Sequence, residues 1–280
     1  MIVTTAGRTD KKMIEKAKLI AAELLLRYIP RNKQSVKRLH DLYRCDCLIV
    51  GKERLELVPF ALDQAFFFHP NSASFRIKRL KRGDKDPFID VCQLSTGMSI
   101  LDCTMGLASD SIVASFIVGN TGKVIAIEAN PYLHYIVKNG LTQWRSEIEE
   151  MNHAMRRIET NHADHLEFLK GLPDHYVDIV YFDPMFEDAI LSSDGISGLR
   201  QFASYSSLNE GLISEAKRVA KKRIILKDHF RSPNFQMYGF HVNIRKSAKF
   251  HYGVIELETK WKDYLIQIVL YLYHSLICYG

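Results

Sequence analysis

The 280-residue sequence predicts an α/β protein: a mainly parallel sheet covered by helices on both faces, preceded by a small α/β unit. Two observations carry this. From Met98 onward, short apolar runs alternate with helical stretches, the sequence form of strand-helix-strand units. Before that point the segments are shorter and end in a strongly basic stretch, which Gly83, Asp84 and Pro87 then break. The expected division is therefore 1–90, a small N-terminal subdomain, 91–258, the main domain, and 259–280, an apolar extension.

In chain order, Ile2 to Thr5 is β-branched enough for a strand, and Thr9 or Asp10 can cap a helix over 11–28 that Pro30 closes. A second short helix fits 35–43. Residues 47–50 and 55–58 flank a Gly-Lys-Glu-Arg turn as a β-hairpin, and the aromatic run Phe66, Phe67 and Phe68 follows. The segment 75–82 sets Arg76, Lys78, Arg79, Lys81 and Arg82 among apolar residues. In the main domain, strands are expected at 99–103, 123–128, 157–161, 177–182 and 223–227, with 242–245 and 253–258 as an antiparallel pair at one side. The tail 264–280 is apolar but falls short of the ~20 residues of a membrane span, and reads as a buried terminal element or the contact of a homodimer, with a membrane anchor as the lesser alternative.

Composition narrows the function classes. Hydrophobic residues at 47% and charged residues at 25% describe an ordinary globular chain rather than a disordered one. The residues before Pro30 carry Lys11, Lys12, Glu15, Lys16 and Lys18, which interrupt any signal-peptide run, so a cytoplasmic location is expected. Five scattered cysteines, Cys45, Cys47, Cys92, Cys103 and Cys278, suit reduced thiols. The histidines, including His162 and His165, lack a carboxylate in a metal-binding pattern, so no metal is expected. A net charge of +6 points to an anionic partner.

Ligands of open parallel sheets bind beyond the carboxyl ends of the strands, and three loops there stand out. In the first, Asp102 ends a strand and Gly106 opens a turn before a helix, allowing close backbone approach to a ligand. In the second, Glu128 ends the next strand 22 residues after Gly106, where a carboxylate suits a ribose diol. A dinucleotide fingerprint needs three glycines in its turn, and this turn has only Gly106, so NAD is the weaker ligand. In the third, Tyr181-Phe182-Asp183-Pro184-Met185-Phe186 supplies a carboxylate, a carbonyl aimed by proline and an aromatic face on which a base can stack.

Asp102-Cys103-Thr104-Met105-Gly106, Glu128-Ala129-Asn130-Pro131 and Asp183-Pro184-Met185-Phe186 together resemble the class I S-adenosylmethionine-dependent methyltransferases that act on amino groups. More narrowly, the chain is similar to the bacterial small-subunit ribosomal RNA guanine-N2 methyltransferases, from the Gly51-Lys52-Glu53-Arg54 hairpin to Lys227. The resemblance implies a Rossmann-like, mainly parallel seven-stranded sheet and S-adenosyl-L-methionine as cofactor.

It implies that Asp102 and Gly106 line the methionine moiety, that Glu128 holds the ribose, that Asp164 sits near the adenine amino group, and that Thr104, Asp110 and Ala129 are also cofactor-binding. For Asp164 an N-cap of the following helix is an equal alternative. Asp183, Pro184 and Phe186 are then the catalytic set that receives the target base. From its charge, the basic segment with Arg76, Lys78 and Arg79 is expected to contact RNA, either ribosomal RNA or a small-subunit particle, with a solvated charged face as the alternative. At 108 and 109 this sequence has Ala and Ser where that family has glycine and arginine. Two other readings stay open: a methyltransferase of a protein amide or small molecule, and a non-catalytic nucleotide- or RNA-binding module.

Overall fold

The computed structural model describes residues 1–60, 65–184, 208–245 and 248–257. The first sheet gathers β1 (Ile2–Thr5), β2 (Arg27–Tyr28), β3 (Cys47–Val50) and β4 (Leu55–Val58) in the order β2-β1-β3-β4. Here β1 runs parallel to β2 and β3, while β4 returns antiparallel along β3. Two helices serve this sheet: α1 (Lys11–Glu23), capped by the Asp10 carboxylate on Met13 N–H at 2.8 Å, and α2 (Val36–Tyr43).

The helix expected over 11–28 stops at Glu23, and Arg27–Tyr28 is a strand instead. Leu25 takes a left-handed turn, φ 54°, and Leu26 N–H bonds back to the Ala21 carbonyl at 2.8 Å, which closes the helix end. That position usually holds glycine, so a leucine there hides the stop.

Next come α3 (Asn71–Lys81) and α4 (Pro87–Cys92), followed by β5 (Ser99–Asp102), α5 (Ser109–Val118), β6 (Lys123–Glu128), α6 (Pro131–Gln143), α7 (Glu149–Arg157), β7 (Glu159–His162), α8 (His165–Lys170) and β8 (Val177–Phe182). After α9 (Glu210–Val219) come β9 (Ala220–His229), α10 (Asn234–Met237), β10 (His241–Asn243) and β11 (Phe250–Glu256). The seven strands lie in the order β10-β11-β9-β8-β5-β6-β7, with β9, β8, β5, β6 and β7 parallel and β11 antiparallel to both its neighbours, β9 and β10. This is the Rossmann-like arrangement expected. β9 exceeds the expected 223–227 because both neighbours pair with it, β11 continuously from Arg223 to His229.

The apolar core is continuous between the two sheets: Val3, Leu48, Phe66, Phe68, Phe88, Ile100 and Ile225 belong to one buried cluster. Phe68 is wedged against α6 at Gly140, where a Cβ would come within 2.2 Å of the ring. Among the described residues, no helix is long and apolar enough to cross a membrane, and Cys45, Cys47, Cys92 and Cys103 are free thiols. The extension 259–280, with Cys278, lies outside the described residues.

Candidate active site

The carboxyl ends of β5, β6 and β8 meet at one edge of the large sheet. At the end of β5, the buried Asp102 carboxylate accepts from Thr104 N–H at 3.0 Å with one oxygen and from the Ser111 hydroxyl with the other. Burial pushes its pKa up to about 7, against the pull of those two bonds. Asp102 therefore braces the turn from beneath. Met105 N–H bonds the Ile127 carbonyl at 2.8 Å and Cys103 N–H the Tyr181 carbonyl at 2.9 Å, which pins the turn to both neighbouring strands.

Gly106 then takes φ 48° and donates its N–H to Glu128 Oε2 at 3.2 Å, while Glu128 Oε1 accepts from Asn130 N–H at 2.9 Å. A Cβ at Gly106 would meet nothing closer than the Thr104 carbonyl oxygen at 3.9 Å, so the space over the turn is open. Each Glu128 oxygen keeps a second lone pair, and burial raises this carboxyl above its ordinary range. The Ala129 carbonyl lies 3.1 Å from His162 Nε2, tying β6 to β7. Ala108 is left-handed too, with φ 59°. This is the position where the resembled family carries glycine.

At the end of β8, Asp183 N–H donates to Thr104 Oγ1 at 2.7 Å, joining the third loop to the first. Phe182 pairs with Leu226 in register, so the next residues, Asp183 and Lys227, lie side by side, and Lys227 Nζ sits 2.5 Å from Asp183 Oδ2. The ammonium also lies 3.4 Å from Asp110 Oδ2, which accepts from the Tyr181 hydroxyl at 2.8 Å. The other Asp110 oxygen pairs with Arg76, whose Nε and Nη2 grip both oxygens of Asp86 at 2.7 and 2.8 Å. The result is a chain of alternating charges, Asp86, Arg76, Asp110, Lys227 and Asp183.

Burial lifts Asp183 to about 6, and Lys227 keeps it from rising further. Burial also opposes the charge on Lys227, but Asp110 and Asp183 outweigh it and hold the ammonium above the usual lysine range. Asp110 falls below the ordinary carboxylate range because Lys227 and Arg76 overcome its burial.

The structure thus brings together Asp102, Thr104, Gly106, Glu128, Asp183 and Pro184. Two expected roles are corrected. Arg76 is no RNA contact: its guanidinium is committed to Asp86 and Asp110. Asp110 has its carboxylate taken up by Arg76, Tyr181 and Lys227, so it anchors the charge chain rather than reaching for a cofactor. Asp164 caps α8, accepting from Leu166 and Glu167 N–H at 2.9 and 3.2 Å, as its alternative reading had it. Lys78 and Arg79 are exposed on α3, and Arg79 pairs with Asp84 at 3.2 Å. Phe186 lies outside the described residues. Lys227 went unassigned in the sequence, although it ends the apolar run Ile224-Ile225-Leu226 as Asp183 ends β8.

The model of the SAM_MT family of SAM-dependent methyltransferases matches residues 34–250. The chain is 49% identical over 255 residues to the uncharacterized protein YpiP of Bacillus subtilis (strain 168), covering 91% of this chain and 99% of that one. It is 26% identical over 230 residues to the ribosomal RNA small subunit methyltransferase J of Legionella pneumophila (strain Philadelphia 1), covering 80% and 86%. Among solved structures, the SAM-dependent methyltransferase NGO1261 from Neisseria gonorrhoeae superposes with a TM-score of 0.62 at 17% identity, over 91% and 96% of the two chains, which shows a shared fold. The chain belongs to the SAM-dependent methyltransferase family SAM_MT, and its cofactor is S-adenosyl-L-methionine.

Proposed function

We propose that the chain methylates an exocyclic amino group of a guanine in small-subunit ribosomal RNA, in the cytoplasm. The observation that carries this reading is the Asp183 carboxylate, set beside Pro184 at the end of β8, within one hydrogen bond of the first loop and paired with Lys227. The Legionella relative's name supports the choice of substrate.

The residues fit the cofactor: Gly106 leaves open space over the turn, and Glu128 offers acceptors to a diol at its rim. Bound there, S-adenosyl-L-methionine supplies an electrophilic methyl group on a sulfonium. An aromatic amine is a poor nucleophile because its lone pair is conjugated with the ring. Asp183 and the Pro184 carbonyl accept its two N–H groups, which favours the geometry that frees that pair, and the carboxylate stabilises the positive charge developing on nitrogen. Asp183 acts as orienter and electrostatic stabiliser, and the exposed Lys78 and Arg79 meet phosphate.

The test is mass spectrometry of small-subunit rRNA nucleosides from cells with and without the gene. Loss of an N2-methylguanosine is the expected result. An unchanged set of methylated nucleosides overturns the reading.

A further inference from the structure

The chain's positive charge is not spread over it. Residues 1–60 hold 13 Lys and Arg against 7 Asp and Glu, which accounts for the whole net charge of +6 and leaves the remaining 25 basic and 25 acidic residues in balance. Part of that charge stands at one edge of the first sheet, where the exposed acids are Asp10 and Glu53. Because β2, β1 and β3 are parallel neighbours, the loops 6–10, 30–34 and 51–54 leave it from the same side. Backbone bonds from Ala6 N–H to the Val50 carbonyl at 2.9 Å and from Ile29 N–H to the Val3 carbonyl at 2.8 Å hold these exits together.

Each loop presents an exposed cation: Arg8, Lys33 and Lys52, with Lys11 and Lys12 opening α1 beside Arg8. Among the described residues, none of these five is ion-paired. Asp10, the acidic residue nearest Arg8 in sequence, is occupied as the cap of α1.

The shape of this edge is set by its backbone. In the loop after β2, Asn32 and Lys33 are both left-handed, φ 44° and 60°, and consecutive non-glycine residues in that region store strain where function needs a set shape. Arg31, just before them, buries Nε and Nη1 without a hydrogen-bond partner.

We propose that this edge is an RNA-docking site that grips the phosphate backbone of the substrate at a distance from Asp183: Glu23 at the end of α1 meets Tyr135 near the start of α6, and Lys16 meets Gln143 at its end, so the edge lies at the end of α6 away from Glu128. The inference rests on the reading of the substrate as RNA. Adjacent strands lie ~4.8 Å apart, so cations from three neighbouring loops span on the order of 10 Å, the reach of a polyanion rather than of one phosphate. Unpaired, separately mounted cations bind by counterion release and carry no sequence preference, which leaves base selection to the site at β8.

The test uses the full chain and a small-subunit rRNA transcript, with affinity measured over a salt series. R8E/K33E/K52E is compared with wild type and with K138E/K217E/K221E, which makes the same charge change at exposed positions elsewhere. Loss of about three phosphate contacts lowers the slope of log affinity against log salt by about 2–3 and the affinity at least tenfold. Cofactor affinity stays unchanged, and methyl transfer shows a raised KM for RNA with kcat retained. Circular dichroism confirms folding.

If wild type binds RNA with a steep salt slope and the first triple variant matches it, the docking edge is wrong while the RNA reading stands. Equal losses in the two triple variants also overturn the edge, since net charge alone then sets affinity. If wild type shows no salt-dependent RNA binding, both readings fall.

Discussion

Lys227 Nζ lies 2.5 Å from Asp183 Oδ2, so two adjacent parallel strands are joined by a half-buried ion pair at the point where the target amine is proposed to bind. The pairing has a clear electrostatic direction. Burial drives Asp183 upward to about 6, and the ammonium limits that rise, so the carboxylate is largely ionised near neutral pH.

Removing the cation while keeping its bulk, in Lys227→Met, leaves burial unopposed and moves Asp183 to a higher pKa. A protonated Asp183 is a weaker acceptor. In wild type the rate should rise with pH through about 6 and level off above it. In Lys227→Met that limb should move to higher pH, with kcat near neutrality lowered about 10-fold or more and KM for cofactor kept, whereas Lys227→Arg should restore most of the profile. Lys227→Met also leaves Asp183 and Asp110 without their shared cation, so thermal melts must accompany the pH profile. An unmoved acid limb in a folded Lys227→Met would show that Lys227 is only structural.

Gly106 separates two reasons for a glycine. Its φ of 48° is left-handed, so alanine there costs about 1–2 kcal/mol of backbone strain, yet the added Cβ meets nothing within 3.9 Å. Gly106→Ala should therefore fold, with a modest loss of stability, and lose cofactor affinity by more than tenfold because the methyl enters the open space over the turn. Calorimetry with S-adenosylmethionine decides it, and an unchanged Kd would place the cofactor elsewhere.

Glu128 is bonded on both oxygens by backbone N–H groups, from Gly106 and Asn130. In Glu128→Gln the amide nitrogen must face one of these donors, so the turn loosens and one ligand acceptor is lost. The expected weakening of cofactor binding is about 1–3 kcal/mol, roughly 5- to 150-fold, with Glu128→Ala at least as severe. Equal cofactor affinity in both variants and wild type would remove the ribose role.

Asp102 offers a pH test of stability. Its pKa is raised to about 7 in the folded chain, so the folded state holds its proton more tightly than the unfolded state does. The resulting stability is complete below about pH 4 and is lost as pH rises through about 7. In Asp102→Asn the oxygen can still accept from Thr104 N–H, the amide can donate to Ser111, and no charge appears. The variant's melting temperature relative to wild type should thus improve from pH 4 to pH 7.5 and stay constant above. A constant difference across that range would mean Asp102 titrates normally.

The sequence was most readable where information is local. Apolar runs located β6 and β8 to the residue, and spacing singled out Glu128, because a strand end and its following turn are written within a few residues. Arg76 was misread because it sits in a run of basic residues, while the carboxylates that claim it lie 10 and 34 residues onward. Lys227 was invisible for a related reason: its partner is 44 residues away and is met only because β8 and β9 are neighbours in register. The end of α1 was hidden by Leu25, which adopts a turn that sequence reasoning assigns to glycine. Pairings set by sheet order cannot be read before the order is known.

Asp183 itself separates charge from shape. Asp183→Ala removes the acceptor and strands Lys227 with Asp110 as its remaining carboxylate partner, so it should abolish most turnover with cofactor affinity near wild type, as for a contact made chiefly in the transition state. Asp183→Asn keeps an oxygen acceptor of nearly the same shape but loses the charge. If the carboxylate mainly orients the amine, Asn retains activity within about tenfold; if it mainly stabilises developing positive charge, Asn falls most of the way to Ala. The ion pair sharpens the comparison, because Asn also leaves Lys227 to repel a nitrogen becoming positive. Asp183→Asn combined with Lys227→Met removes that repulsion along with the charge. It should be more active than Asp183→Asn alone, whereas two independent residues would give additive losses. All variants are read in one methyl-transfer assay on unmodified small-subunit rRNA, with circular dichroism on each. If Asp183→Ala transfers methyl groups as fast as wild type, the end of β8 is only a strand terminus, and the amine-binding role assigned to it fails.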